Sequence, residues 1–110
     1  MQHPKVQEAA APLGTRVIAS PEVVRFIRER GGRLFIQADR HRCCGGSGVV
    51  LLDATTEPPV GGSFLRLEAD GFELLLDLSI GQVPDELSIV LRGRRRRRLE
   101  AFWNGCVYVL

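Results

Sequence analysis

The stretch SFLRLEADGFELLLDL, residues 63–78, decides the fold. Two apolar-rich runs, SFLRLEA and FELLLDL, flank the dipeptide Asp70-Gly71. Glycine reaches the left-handed backbone that a two-residue connection demands, so this is a strong local signal for a β-hairpin. On its C-terminal side ELSIVL (86–91) and LEAFW (99–103) read as further strands. Asn104-Gly105 then marks a second tight hairpin, into CVYVL (106–110). On its N-terminal side RLFIQA (33–38) alternates, with Leu34, Ile36 and Ala38 on one side. VVLLDA (49–54) is a short, more continuous apolar run, and TTEPPVGG (55–62) reads as a loop because of its prolines and glycines.

One segment has helical rather than strand character, ASPEVVRFIRERGG (19–32). Ser20 suits the cap, Pro21 the first helical position, and Glu22 the positive end of the dipole. Val23, Phe26 and Ile27 share a face, Arg28 and Arg30 favour the last turn, and Gly31 is the expected left-handed stop. Residues 1–14 lack periodicity and end in APLG, so they are expected to form a flexible arm. One N-terminal helix and about seven short strands in mixed or antiparallel sheets make an α+β domain dominated by β structure.

The chain has 110 residues, 45% hydrophobic and 25% charged, which is ordinary for one globular domain. No stretch approaches the ~20 apolar residues of a membrane span, so no membrane partner is expected. The opening residues lack the unbroken apolar run of a secretory signal, and the cysteines number three, which is odd for a disulfide scaffold. Cytoplasmic localisation is the expectation that follows. Catalysis finds little support. Ser47 and Ser63 lie in no hydrolase motif, GGSG lacks the lysine of a phosphate loop, and Asp85-Glu86 sits beside Pro84 in what reads as a turn.

The stretch DRHRCCGGSGVV (39–50) carries the distinctive chemistry. Thiolates are the soft ligands that iron, zinc or copper(I) prefer. Adjacent side chains diverge, so one metal takes Cys43 or Cys44 more easily than both, whereas His41 and Cys43 share a face if the segment is extended. Those donors fall short of the four that zinc usually takes. The amides of Gly45 and Gly46 suit an anion or bridging sulfides. The plainer alternative is a turn whose cysteines are small buried hydrophobes. A thiol redox pair is a third reading, disfavoured because a disulfide between neighbours closes a strained ring.

The order of these pieces resembles the HesB-like family of A-type iron–sulfur carriers across residues 16–109. In that family a helix ending in Gly-Gly leads to a strand, a Gly-Cys-Ser-Gly turn, a second strand, an acidic-proline loop and a hairpin with a central Asp-Gly. Here the helix ends at Gly31-Gly32, and in LFIQADRHRCCG Cys43 falls on the family's cysteine, Cys44 on its serine and Gly45 on its glycine. LLDATTEPP looks like the next strand and loop, and EADGFELLLDLS like the hairpin with its trailing Asp-x-Ser. The resemblance implies a single HesB-like domain over residues 15–110 and a non-enzymatic carrier of an iron–sulfur cluster. It also implies a homodimer that shares the cluster between subunits, with iron–sulfur recipient or scaffold proteins as partners. Three features depart from the family pattern. Arg42 replaces a glycine, Cys106 stands where an apolar residue is usual, and the family's Cys-Gly-Cys tail has no counterpart. Two thiols per chain at Cys43-Cys44 would give a symmetric pair four without that tail.

The sharpest compositional feature is RGRRRRR, with Arg94, Arg95, Arg96, Arg97 and Arg98 in succession. Alternation would place Arg94, Arg96 and Arg98 on one face and Arg95 and Arg97 on the other, so neither face can be core. The preferred reading is a solvated hairpin end whose charges oppose aggregation. Nucleic-acid modules interleave aromatics with the charges, and here Phe102 and Trp103 come only after the run, which argues against nucleic acid. The alternative function is a non-catalytic interaction domain on the same scaffold, without metal, that binds nucleic acid or anions through these five arginines.

Overall fold

A computed structural model describes residues 5–8, 15–39, 50–81, 83–105 and 108–109. Among them one helix and nine strands give a mostly β, α+β architecture. The strands are β1 (Lys5–Glu8), β2 (Arg16–Ala19), β3 (Arg33–Asp39), β4 (Val50–Thr55), β5 (Ser63–Ala69), β6 (Phe72–Asp77), β7 (Glu86–Arg92), β8 (Arg98–Trp103) and β9 (Tyr108–Val109). The helix α1 (Pro21–Glu29) lies between β2 and β3, and a single 3-10 turn (Leu78–Ile80) follows β6. Two mixed sheets result, one ordered β1-β5-β6-β3-β4-β9 and the other β2-β7-β8.

The helix forms where its end signals lie. Ser20 accepts a hydrogen bond from the Val23 N–H at 3.3 Å, Pro21 occupies the first turn, and Gly31 and Gly32 leave the helix at φ 112° and 78°. Val23 and Ile27 are buried, and Phe26 is half-buried with the Arg30 guanidinium over its ring at 3.5 Å. This face closes a core drawn from both sheets. Leu34, Ile36, Leu67, Phe72, Leu74 and Leu76 come from the larger sheet; Leu87, Ile89, Leu99, Ala101 and Trp103 come from the smaller. Inward residues alternate along β7 and β8, as a half-buried strand requires.

The Asp70-Gly71 hairpin is present, with Ala69 opposite Phe72 and Gly71 at φ 87°. A Cβ on Gly71 would stand 2.8 Å from Val24 Cγ1, so the turn packs directly against the helix. Asn104 (φ 48°) and Gly105 (φ 88°) also take the expected left-handed turn conformation. The strand beyond them does not fold back on β8. Instead β9 pairs with β4 in the other sheet, Val50 with Val109 and Leu51 with Tyr108.

Two strands precede the helix, in sequence that has no strong local strand signal. Within the segment expected to be an arm, Lys5–Glu8 pair in parallel with β5. Arg16–Ala19 pair in parallel with β7, with Val17 and Ala19 turned toward the core. Both segments are four residues long, and both find their partners far along the chain, where no local turn chemistry announces them.

β3 is covered on both faces. Phe35, on the side opposite Leu34 and Ile36, is buried with Leu75 and Phe64, and the two phenyl rings meet edge to face at 5.4 Å. The sheet order explains the cover. The chain leaves β4 and must cross both β3 and β6 to enter β5. Three strand spacings are roughly 14 Å, well within the reach of residues 56–62. The inner face is filled by the core, which leaves the outer face for the crossing. At the entry to β5, Gly62 lies against the Phe64 ring, where an added Cβ would approach Cε1 to 3.3 Å.

Candidate functional site

His41, Cys43, Cys44, Gly45 and Gly46 lie outside the described residues, as does Cys106. The described residues hold the frame on which the cysteine stretch is mounted. β3 and β4 are direct antiparallel neighbours up to Asp39 opposite Leu51, so residues 40–49 join two hydrogen-bonded strand ends. β9 flanks β4 at the same end, through Val50 and Leu51.

Asp77 buttresses this end of β3. It is half-buried at the close of β6. Its Oδ2 accepts the Ala38 N–H at 3.3 Å and its Oδ1 accepts the Ser79 N–H at 2.9 Å. One carboxylate therefore carries the hydrogen bonding of β3 beyond the parallel register, which runs from Arg33 opposite Glu73 to Ile36 opposite Leu76. The same carboxylate caps the 3-10 turn. The sequence reading singled out the Asp-x-Ser pattern without its task, which needs the pairing of β6 with β3 to be seen.

Elsewhere on the outer face, Glu73 lies between two guanidiniums, 3.3 Å from Arg33 Nε and 3.6 Å from Arg66 Nη2. No group of three or more histidine, cysteine, aspartate or glutamate side chains able to hold a metal occurs among the described residues. No described helix is long and apolar enough to cross a membrane.

The arginine run forms the connection of the β7–β8 hairpin, and Arg94, Arg95, Arg96, Arg97 and Arg98 are all exposed. Arg94–Arg97 lie in the connection rather than in an alternating strand; only Arg98 enters β8. The tip is tightly folded. Gly93 has φ 90°, and a Cβ there would come within 2.3 Å of the Arg96 carbonyl oxygen, a separation no side chain tolerates. Arg97 Nη1 donates to Glu22 Oε1 at 2.7 Å and ties the tip to the first turn of the helix. Arg92 and Arg98 stand opposite one another, an unfavourable like-charge pair, and Glu100 engages Arg92 at 3.2 Å.

The chain matches no protein-family model, no curated protein and no solved structure.

Proposed function

We propose that this chain is a HesB-like carrier whose cargo is an iron–sulfur cluster or iron, held by Cys43 and Cys44 between two subunits. The observation that carries the reading is the mounting of the cysteine stretch. Residues 40–49 join two paired strands, with Asp77 fastening the end of β3. A carrier needs donors on a connection that can open to a recipient, anchored to a sheet that holds its shape when the cargo leaves. The elements around it follow the order of the resemblance: helix with Gly-Gly end, β3, cysteine stretch, β4, acidic-proline loop, and Asp-Gly hairpin. In this reading Cys43 is the principal ligand, and Cys44 supplies the second thiol that each subunit contributes. His41 is a further donor, and the Gly45 and Gly46 amides lie near the cargo. The protein performs no reaction of its own; it delivers its cargo to recipient or scaffold proteins.

Anaerobic reconstitution with ferrous iron and sulfide tests this. A coloured species with thiolate-to-iron charge-transfer absorption is expected, with iron and sulfide in stoichiometric amounts. Cys43→Ser should abolish it, because a serine oxygen is a harder and poorer ligand. Cys44→Ser should weaken it if the second thiol is a ligand, and leave it unchanged if Cys43 acts alone. Cys106→Ala should leave the spectrum as it was. A folded wild-type protein that takes up no iron refutes the proposal.

A further inference from the structure

A second surface, built on the smaller sheet and sharing no residue with 40–49, has a chemistry of its own. Six of the seven positions from Arg92 to Arg98 are arginine. Two of the six are engaged, Arg92 by Glu100 and Arg97 by Glu22. Arg94, Arg95, Arg96 and Arg98 have no acidic partner among the described residues. A hairpin that needs only to stay in solution is served by charges of mixed sign. This one concentrates a single sign on a tightly folded tip, anchored by Gly93 and by the Arg97–Glu22 pair, and so maintains a repulsion that a polyanion would relieve.

The face that leads away from the tip adds an aromatic. Along β8, Arg98, Glu100 and Phe102 share one side, while Leu99, Ala101 and Trp103 are buried on the other. Phe102 is half-buried on the outer face of the sheet, opposite Ser88, which is itself opposite the exposed Ile18. Glu100, the acidic group between Arg98 and Phe102, is engaged by Arg92. Arg98 and Phe102 are four residues apart on a strand, roughly 13 Å, a span of about two nucleotides in an extended single strand. In sequence the aromatic follows the charges and looks separate from them. In the fold it lies on the same face of β8 as Arg98, the last of the run.

We infer that Arg94, Arg95, Arg96 and Arg98, together with Phe102, form a binding surface for single-stranded nucleic acid. The guanidiniums take phosphates through paired N–H donors, and the Phe102 ring receives a base. The aromatic decides between partners. An acidic peptide or a duplex would use the arginines alone, whereas an unpaired base has a π face to offer.

Fluorescence anisotropy of a labelled oligothymidylate of about ten nucleotides with the intact 110-residue chain tests the inference. Four phosphate contacts predict a slope of log K against log salt near about −2.8, or a loss of about 50-fold between roughly 50 and 200 mM salt. The combined variant Arg94→Ser, Arg95→Ser, Arg96→Ser, Arg98→Ser should lose binding together with that slope. Phe102→Leu should weaken binding roughly five-fold or more and leave the slope unchanged, since it removes stacking and no charge. Cys43→Ser should bind as wild type does. The inference is overturned if Phe102→Leu binds like wild type, if a duplex of equal length binds as tightly, or if polyglutamate of equal charge competes as well as the oligonucleotide. The last result would assign the tip to an acidic protein.

Discussion

Phe35→Ala should be among the most destabilising single substitutions in this chain, although alternation along β3 assigns Phe35 to the side opposite Leu34 and Ile36. Phe35 is 0% exposed, lies opposite Leu75 in the parallel ladder, and meets Phe64 at 5.4 Å with an interplanar angle of 78°. Truncating a fully buried phenylalanine costs about 3–5 kcal/mol, of which the edge-to-face pair accounts for about 0.5–1.5 kcal/mol. Against a total stability of about 5–15 kcal/mol for a domain of this kind, that is a large fraction. Urea unfolding followed by the fluorescence of Trp103, the only tryptophan, measures it. With a slope of roughly 1–3 kcal/mol per molar, the midpoint should fall by about 1 M or more. A double-mutant cycle of Phe35→Leu with Phe64→Leu isolates the ring–ring contribution, expected near 1 kcal/mol. A cost below about 1 kcal/mol for Phe35→Ala would be that of a surface residue. It would refute the argument that residues 56–62 cross the outer face and seal it.

Asn104→Ala should cost about 1–3 kcal/mol by the same assay. It forces a left-handed alanine at φ 48° and removes the acceptor of the Glu86 N–H, now bonded at 2.9 Å. Asn104→Gly should recover the backbone share of that loss and leave the side-chain share. Chelation of iron from reconstituted protein should leave thermal unfolding cooperative, because the two-sheet core contains no metal ligand among its buried residues. Loss of the transition would mean that metal binding and folding are one event.

The parts of the fold that could be read from sequence are those whose causes are local. The Asp-Gly hairpin, the Ser20-capped helix with its glycine exit, and the exposure of the arginines each rest on residues within a few positions of one another. The route of β9 to β4 was not legible, because Asn104-Gly105 fixes the turn and not the strand that receives the chain after it. Nor was the burial of Phe35, since alternation along β3 says which residues share a side and not that the second side will be covered as well. For the cysteine stretch, sequence supplies the donors and their order, and the structure adds the paired strands at its two ends. The carboxylate of Asp77 could not have been assigned to β3 beforehand, as Ala38 becomes its neighbour only when β6 pairs with β3.

These gaps share a physical origin. The described architecture consists of three antiparallel pairs consecutive in sequence, β3–β4, β5–β6 and β7–β8, assembled through three parallel pairings, β1–β5, β2–β7 and β3–β6, with β9 added to β4 by a long-range antiparallel pairing. An antiparallel pair of neighbours is held by its own connection and leaves turn chemistry in the sequence. A parallel pairing joins segments distant in the chain, and only the core that forms between the sheets selects it. β1 and β2 are placed in this second way alone, and β3 in both ways. The same division accounts for where the chemistry sits. The core fixes strands on both sides and tolerates little change, while a hairpin connection is free of that constraint. The two stretches with the most specialised composition, the cysteines within 40–49 and the arginines of 94–97, each stand in sequence between two paired antiparallel strands, one pair in each sheet.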